Sequence, residues 1–203
     1  MRWLEVVTHL VSLSPLALLI WDYTQGQLTA DPIREITLRT GRCALVWLIL
    51  SLACTPVYIV FGLRQAIKLR RPLGLYAFAY ASLHLLTFVG LDYGFNLTLI
   101  ADEILQKRFV QVGLAAFVIL LSLAVTSTRG WVRRLGKGWK ILHRLVYLAA
   151  LLAVVHFVWV VKADLRRPLL YGAVVVILLI VRIPGLRKAF RDMRRRLNGK
   201  RDP

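Results

Sequence analysis

The sequence predicts an all-α integral membrane protein, a bundle of six transmembrane helices with both termini in the cytoplasm. Three observations lead to this prediction. Hydrophobic residues make up 58% of the 203 residues and the mean hydropathy is +0.64, values that are typical of membrane proteins and rare in soluble domains. Apolar runs of nearly membrane-spanning length recur along the chain, and positive charge is concentrated in alternate connections between them.

The six apolar segments each approach the ~20 residues that a helix needs to cross a hydrocarbon core of about 30 Å. Helices are the expected form because in lipid the backbone must satisfy its own polar groups. The first segment is expected to remain as a span, since it contains Glu5 and no small-residue cleavage site follows it. The last is short unless it extends through Arg182. The segments cover residues 3–21, 43–61, 73–91, 109–125, 141–161 and 169–183.

The distribution of charge predicts the orientation of these helices. The connections LRQAIKLRRP and RGWVRRLGKGWK contain basic residues and no acidic residue, and the tail from Arg182 onward is strongly basic. The other connections are balanced or, at residues 92–108, net acidic, except for the mildly basic KADLRRP. With six crossings the three basic regions fall on one side, which the positive-inside rule assigns to the cytoplasm. We therefore predict a six-helix membrane domain at residues 1–186 and a basic cytoplasmic tail at residues 187–203.

The net charge of +18 does not indicate a nucleic-acid partner. The basic residues lie between apolar runs rather than in one patch, so the lipid bilayer is the expected partner. The two cysteines, Cys43 and Cys54, lie eleven residues apart in one apolar run. They form no C-x-x-C-H motif for covalent haem attachment, and we expect both to be small buried residues.

All four histidines, His9, His84, His143 and His156, lie within the apolar segments. A single histidine in such a place is usually a satisfied core residue. The presence of all four histidines in apolar segments indicates a function, because ionisable groups in the membrane are costly and imidazole is a common neutral metal ligand. His143 and His156 are thirteen residues apart, about 19.5 Å along one helix, which suits two haems stacked across a bilayer.

Depth in the membrane predicts how the histidines pair. The third and fifth segments both run outward from the cytoplasm. His84 lies about 18 Å beyond Pro72 and His156 about 22 Å beyond Ile141, at 1.5 Å per residue. These matched levels predict one haem with two histidine ligands, His84 and His156, toward the outer face.

His143 lies only about 3 Å into its segment and is left to bind an inner haem. The partner of His143 stays open: His9 is chemically suitable, and it is equally well explained as a helix-packing residue. Trp139, His143 and Tyr147 recur at four-residue spacing and share one side of a helix. An aromatic wall beside a porphyrin and ordinary packing explain this pattern equally well.

Three stretches of the chain resemble a known family, namely ADPIREITLRTGRCALVWLILSLACTP, RRPLGLYAFAYASLHLLTF and TSTRGWVRRLGKGWKILHRLVYL. They resemble the haem-binding membrane subunits of periplasmic methionine sulfoxide reductase systems, which belong to the ferric-reductase-like transmembrane group together with the NADPH oxidases. The likeness covers nearly the whole chain. It implies one or two b-type haems, with iron bound by His84, His143 and His156.

The resemblance also implies a location and partners. It places the chain as a multi-pass protein in the bacterial inner membrane, delivering electrons to a periplasmic molybdopterin reductase catalytic subunit that repairs oxidised methionine. The quinone pool or a cytoplasmic flavin reductase is implied as the electron donor. FMN is also associated with the family, although no residues of this chain indicate a site for FMN or for a quinone.

The chain departs from the NADPH-oxidase pattern at two points. Those relatives carry two histidines on the third helix, whereas Arg70 stands fourteen residues before His84. Guanidinium has no lone pair to offer iron, so we expect Arg70 to meet a haem propionate instead. The relatives also carry a flavin and nicotinamide domain after the sixth helix. No glycine-rich dinucleotide motif is present here, so a separate electron donor is expected.

The sequence thus predicts an electron-transfer subunit, and it leaves open whether the chain is itself an enzyme. No nucleophile–base pair or carboxylate dyad indicates a reaction of its own. One alternative is a stand-alone ferric reductase or quinol oxidase, which would be active without a protein partner. Another is a proton-coupled transporter with His84 and His156 as relay groups. A transporter would be colourless and should carry more intramembrane carboxylates than Glu5 alone.

Overall fold

The computed structural model describes residues 2–161 and 164–199 of the chain. Across these residues the regular secondary structure is helical, with no β-strand. Two predictions fall partly outside the described residues. The mildly basic connection KADLRRP includes Lys162 and Ala163, and the predicted tail includes residues 200–203.

The helices follow the predicted segments closely, and three further helices, α4, α6 and α10, lie in regions that were predicted as connections or tail. A π-helical turn, Thr87–Asp92, continues α3. In chain order the helices are α1 (Arg2–Thr24), α2 (Pro32–Phe61), α3 (Arg64–Leu86), α4 (Leu97–Gln106), α5 (Arg108–Val125), α6 (Arg129–Leu135), α7 (Lys137–Leu142), α8 (Leu145–Val160), α9 (Arg166–Ile180) and α10 (Pro184–Gly199).

Five stretches of the described chain are helical, long and apolar enough to cross a membrane. They are Trp3–Thr24, Pro32–Phe61, Arg64–Asp92, Arg108–Val125 and Lys137–Val160, and they coincide with the first five predicted segments.

The sixth predicted segment does not form a straight span. Helix α9 has 15 residues, fewer than the ~20 that a straight crossing needs. The extension through Arg182 that would have lengthened it does not form, because the chain turns at residues 181–183 and α10 leaves at an angle of 78°. The described chain therefore has five candidate spans, or six if the bent pair of α9 and α10 counts as one.

Helix α2 lies at the centre of the bundle. It packs mainly against α3 and also contacts α1, α8, α9 and α10, while α5 packs mainly against α8. Leu48 and Leu52 of α2 are almost fully buried, and Ala77 and Ala149 have no exposed surface at all. Small residues at these contacts let neighbouring helix backbones approach closely, which is how membrane helices pack where lipid removes the hydrophobic driving force.

The two cysteines fall in or beside this core. Cys54 is buried, as predicted, and Cys43 is partly buried against the core.

Sequence signals set the ends of α2. Asp31 caps its first turn by accepting a hydrogen bond from Arg34 N at 3.1 Å, and Pro32 occupies the first helical position, where it costs no hydrogen bond. Gly62 ends the helix with φ +75°, a left-handed conformation that glycine adopts without penalty. Arg39 joins this first turn to the end of α1 by ion pairs with Glu35 and Asp22.

The predicted basic tail forms a helix that packs against the membrane domain. Helix α10 contacts the C-terminal end of α2, where Arg194 Nη1 donates to the carbonyl oxygens of Tyr58 at 2.9 Å and Ile59 at 3.3 Å. The last carbonyls of a helix have no intrahelical partner. Arg194 therefore caps α2 and fixes α10 at that end of the bundle.

Candidate metal centre

A cavity of about 510 Å³ lies among α2, α3, α5 and α8. The side chains of His84 and His156 both line it, and α4 covers one end through Ile100 and Ile104. Its walls are mostly apolar, formed by residues such as Leu45, Leu48, Leu85, Leu114, Phe117 and Leu120. A mostly apolar space with two convergent imidazoles has the character of a cofactor site.

The two imidazoles lie side by side, as their matched depth predicts. Their ring centroids are 6.0 Å apart and the ring planes meet at 80°. His84 extends from the last turn of α3 and His156 from the last turns of α8. Both side chains are largely shielded from solvent.

Each imidazole is tied to a backbone carbonyl of a neighbouring helix. His84 Nδ1 lies 2.9 Å from the Thr37 oxygen on α2, and His156 Nδ1 lies 2.7 Å from the Phe109 oxygen on α5. A carbonyl oxygen only accepts hydrogen bonds, so both Nδ1 atoms carry the proton. Both Nε2 atoms are therefore left with a lone pair, the form that binds a metal.

The spacing of the two rings would allow both imidazoles to hold one metal ion. At a metal–imidazole nitrogen distance of about 2 Å, two rings on opposite sides of the ion have centres about 6 Å apart, which matches the observed 6.0 Å. Haem supplies four nitrogens of its own, so two protein ligands complete its coordination. The chemistry and spacing of His84 and His156 therefore fit haem iron.

Charged and polar residues surround the cavity where α4 covers it. Asp92, Tyr93, Glu103 and Lys107 lie at this end, and Arg42 of α2 also lines the cavity. Lys107 Nζ bonds Glu103 at 2.6 Å, and this bond lowers the pKa of Glu103. Burial, together with the hydrogen bond to Glu103, raises the pKa of Tyr93 to about 12, so Tyr93 is neutral at physiological pH. Among the ion pairs of the described residues, none engages Arg42.

His143 occupies a different environment from the one predicted. It lies at a two-residue turn between α7 and α8, so the expected helix joining it to His156 is interrupted at His143 within the one candidate span Lys137–Val160. Its Nε2 lies 3.2 Å from Thr126 Oγ1 at the end of α5, and its ring stacks on Trp139 with centroids 4.0 Å apart. Trp139 Nε1 donates to the Thr126 oxygen at 2.9 Å.

Of the three residues at four-residue spacing, only Trp139 and His143 stack on each other. Tyr147 is engaged elsewhere, since its hydroxyl accepts a hydrogen bond from Arg182 at 2.7 Å.

The structure pairs His9 with Tyr76 and not with His143. His9 is exposed on α1, and its Nδ1 lies 2.8 Å from the Tyr76 hydroxyl on α3. Helix α1 packs against α2 and α3. The geometry therefore gives His9 a helix-packing role, one of the two explanations that the sequence left open.

Several residues of the site were not predicted from the sequence. The carbonyls of Thr37 and Phe109 belong to this group, and backbone atoms leave no signal in a sequence.

Arg182 was noted only as a limit of the last segment, yet its Nη2 donates to the Leu52 oxygen at 2.5 Å. An arginine inside an apolar segment was the available signal. Arg70 lies at the start of α3, and its carbonyl accepts from Ser51 Oγ at 2.8 Å.

Comparison with known proteins identifies the class. The family of the ferric reductase like transmembrane component matches residues 40–154, more than half of the chain, including His84 and His143. The chain belongs to this family of multi-helix membrane proteins.

The most similar relatives narrow the assignment. The chain is 45% identical over 181 residues to the protein-methionine-sulfoxide reductase heme-binding subunit MsrQ of Xanthomonas euvesicatoria pv. vesicatoria, a match that covers 86% of this chain and 83% of the relative. The subunits of the same name from Xanthomonas axonopodis pv. citri and Xanthomonas oryzae pv. oryzae are 45% and 44% identical over the same share. Within the larger family, the chain is therefore a member of the MsrQ group. No solved structure matches it.

Proposed function

We propose that this chain is the haem-binding, electron-transferring membrane subunit of a system that reduces protein methionine sulfoxide. The observation that carries the proposal is the pair His84 and His156, with metal-binding Nε2 atoms and ring centroids 6.0 Å apart in one apolar cavity. The relatives' name, heme-binding subunit, agrees with it. A b-type haem in this cavity would supply reversible one-electron chemistry.

The residues of the chain hold and insulate the cofactor. The carbonyls of Thr37 and Phe109 orient the two imidazoles and increase their basicity through the Nδ1–H bonds. Apolar side chains from four helices exclude water from the cavity. We assign Arg42 to a haem propionate, because it lines the cavity and takes part in none of the ion pairs among the described residues. Non-covalent binding follows from the absence of a C-x-x-C-H motif in the sequence.

The orientation in the bilayer is part of the same proposal. The chain crosses the bacterial inner membrane six times, with both termini cytoplasmic, a membrane domain at residues 1–186 and a basic cytoplasmic region at residues 187–203. The alternation of basic connections supports this arrangement. It places the pair of His84 and His156 toward the periplasm, where α4 covers the cavity.

His143 is proposed to bind a second, inner haem on the cytoplasmic side. The support is its position beside Trp139, at the end of α5 opposite to Phe109. Thr126 must release Nε2 for this role, and Arg70 is the nearby cation that we expect at a propionate. Electrons would enter at this side from the quinone pool or a cytoplasmic flavin reductase, with FMN as a further candidate carrier. They would leave at the periplasmic side to a molybdopterin methionine sulfoxide reductase.

A visible spectrum of the purified protein tests the proposal most directly. We expect a Soret band and a reduced α-band of b-type haem, with the pigment extracted by acidified acetone. A folded but colourless protein would refute the proposal and favour a transporter.

The partner requires a second experiment. Deleting the gene should leave oxidised periplasmic methionine unrepaired, while the soluble reductase stays active with artificial electron donors. Reduction of ferric iron or oxidation of quinol by the purified chain alone would instead support a stand-alone enzyme.

A further inference from the structure

Two helix glycines lie directly against the rings of the paired histidines. A Cβ atom added to Gly41 on α2 would lie 3.0 Å from His84 Nδ1, and one added to Gly113 on α5 would lie 2.7 Å from His156 Nδ1. The next nearest atom in each case is Cε1 of the same ring, at 3.1 and 2.8 Å. Real Cβ contacts are rarely as short as these, so each imidazole occupies space that is open only because the residue is glycine.

Helix geometry explains why the glycine stands where it does. Each glycine follows the carbonyl that accepts the Nδ1–H bond by four residues: Thr37 precedes Gly41, and Phe109 precedes Gly113. In an α-helix a carbonyl points toward the residue four positions later, and the Cβ of that residue leans back toward the N-terminus. A side chain at this position would cover the carbonyl. Glycine leaves the carbonyl accessible to an incoming imidazole from another helix.

The arrangement occurs twice with the same spacing. His84 lies 47 residues after Thr37, and His156 lies 47 residues after Phe109. The first set joins α2 to α3, and the second joins α5 to α8, the two most closely packed helix pairs of the fold. Two independent helix pairs thus hold an imidazole in the same way.

We infer that Gly41 and Gly113 are positioning residues that fix the ring orientation and the Nδ1–H tautomer of His84 and His156. Each glycine acts through its histidine by exposing a helix carbonyl to the ring. The inference rests on the proposed haem function for its consequence: the carbonyl bond increases the basicity of the axial imidazole and thereby stabilises ferric over ferrous iron. The hydrogen bond itself does not depend on that function.

Ordinary helix packing is the competing explanation of these glycines, and the chain offers a matched control. A Cβ at Gly172 on α9 would lie 3.2 Å from Val154 Cγ1 on α8. Gly172→Ala therefore creates a close contact in the same bundle without touching a histidine. Alanine favours the helix more than glycine does in all three positions, so any loss must come from the new contact.

The test compares Gly41→Ala, Gly113→Ala and Gly172→Ala in the full-length protein. In the haem-loaded protein we expect Gly113→Ala to lower haem affinity by about 10- to 100-fold, the usual loss when the partner of a metal-binding histidine is removed. Gly41→Ala, with its longer contact, should retain more haem and shift the midpoint potential in the positive direction. Gly172→Ala should match the parent protein in both respects.

A second measurement makes the outcome independent of haem. Full-length protein from haem-deficient cells, labelled with ¹⁵N-histidine, should show His84 and His156 as the tautomer protonated at Nδ1. Gly41→Ala and Gly113→Ala should each lose this signature for the histidine that they contact. If Gly113→Ala fails to fold, the tautomer of His84 in Gly41→Ala, where the new contact is longer, decides between the two explanations.

The two proposals fail in different ways. Unchanged tautomers in folded Gly41→Ala and Gly113→Ala would overturn the positioning role. An equal effect of Gly172→Ala on affinity and potential would overturn it as well. A parent protein that binds no haem, with tautomers that still change in the glycine variants, would refute the proposed function and support the positioning role.

Discussion

Removal of the paired histidines, singly and together, tests whether His84 and His156 bind one metal ion. His84→Ala and His156→Ala should each remove the same haem, and the double variant should lose no more than either single variant. The reason is geometric: ring centroids 6.0 Å apart leave room for one ion between the two imidazoles. Two histidines that bind separate haems would give losses that add.

The size of the expected difference follows from the affinity scale. Every tenfold change in affinity corresponds to about 1.4 kcal/mol. If each single variant weakens haem binding by about 100-fold, or about 2.7 kcal/mol, independent sites predict about 5.4 kcal/mol for the double variant. One shared ion predicts that the double variant also loses only about 2.7 kcal/mol of binding free energy. The interaction energy between the two substitutions then equals the loss caused by either one alone.

Haem per protein, measured by titration of the haem-free protein, is the assay. His9→Ala is the matched control, because His9 is exposed and contacts Tyr76, about 12 Å along α3 from His84. Thermal unfolding of each variant separates haem loss from a general loss of stability, since a new cavity also destabilises the bundle. Additive losses from the two histidines, in variants that fold like the parent, would refute the shared site.

Three further variants test the surrounding structure. Tyr147→Phe removes the hydroxyl that accepts a hydrogen bond from Arg182. It should lower the free energy of unfolding by about 1.5–3 kcal/mol, the value of a hydrogen bond to a charged group. Thermal unfolding measures this loss, and an unchanged midpoint would contradict it. Arg194→Ala removes the cap on α2, so trypsin should cleave within α10 about tenfold faster, whereas equal cleavage rates would count against the packed helix. Glu103→Gln should change stability by at most about 0.5 kcal/mol. The pKa of Glu103 is lowered in the folded protein, so its carboxylate stabilises the fold above its ordinary pKa. This stabilisation disappears as the pH falls through the folded pKa, so the stabilities of the parent and of Glu103→Gln should converge in acid.

The part of the fold that depends on helix rise and hydropathy could be predicted from the sequence. Five spans appear where apolar length placed them. The pairing of His84 and His156 required only the rise per residue and the direction of two helices, quantities that vary little between proteins. Their role as haem ligands stays a prediction, but their proximity is an observed feature of the fold.

The departures from prediction have local causes that the sequence does not carry. Residues 139–150 contain no glycine or proline to mark the turn between α7 and α8, and the turn lies where His143 contacts Thr126. Helix α4 occupies a connection that was predicted only as net acidic, although Asn96 supplies a cap that was a usable signal. The glycines at positions 41 and 113 were also visible, but two sets of three residues, Thr37–Gly41–His84 and Phe109–Gly113–His156, are too few to be recognised as a repeat.

The two histidine environments differ in which ring nitrogen carries the proton. The carbonyls of Thr37 and Phe109 can only accept, so His84 and His156 are both protonated at Nδ1. The Thr126 hydroxyl donates its one proton to the Ser122 oxygen at 2.6 Å, so it accepts from His143, and His143 is protonated at Nε2. Under the proposed function, the paired imidazoles would hold a metal through Nε2 without rearrangement, whereas His143 would first have to leave Thr126 and free its Nε2. The pair is therefore the better-prepared haem site, and the proposed inner site requires a rearrangement at His143.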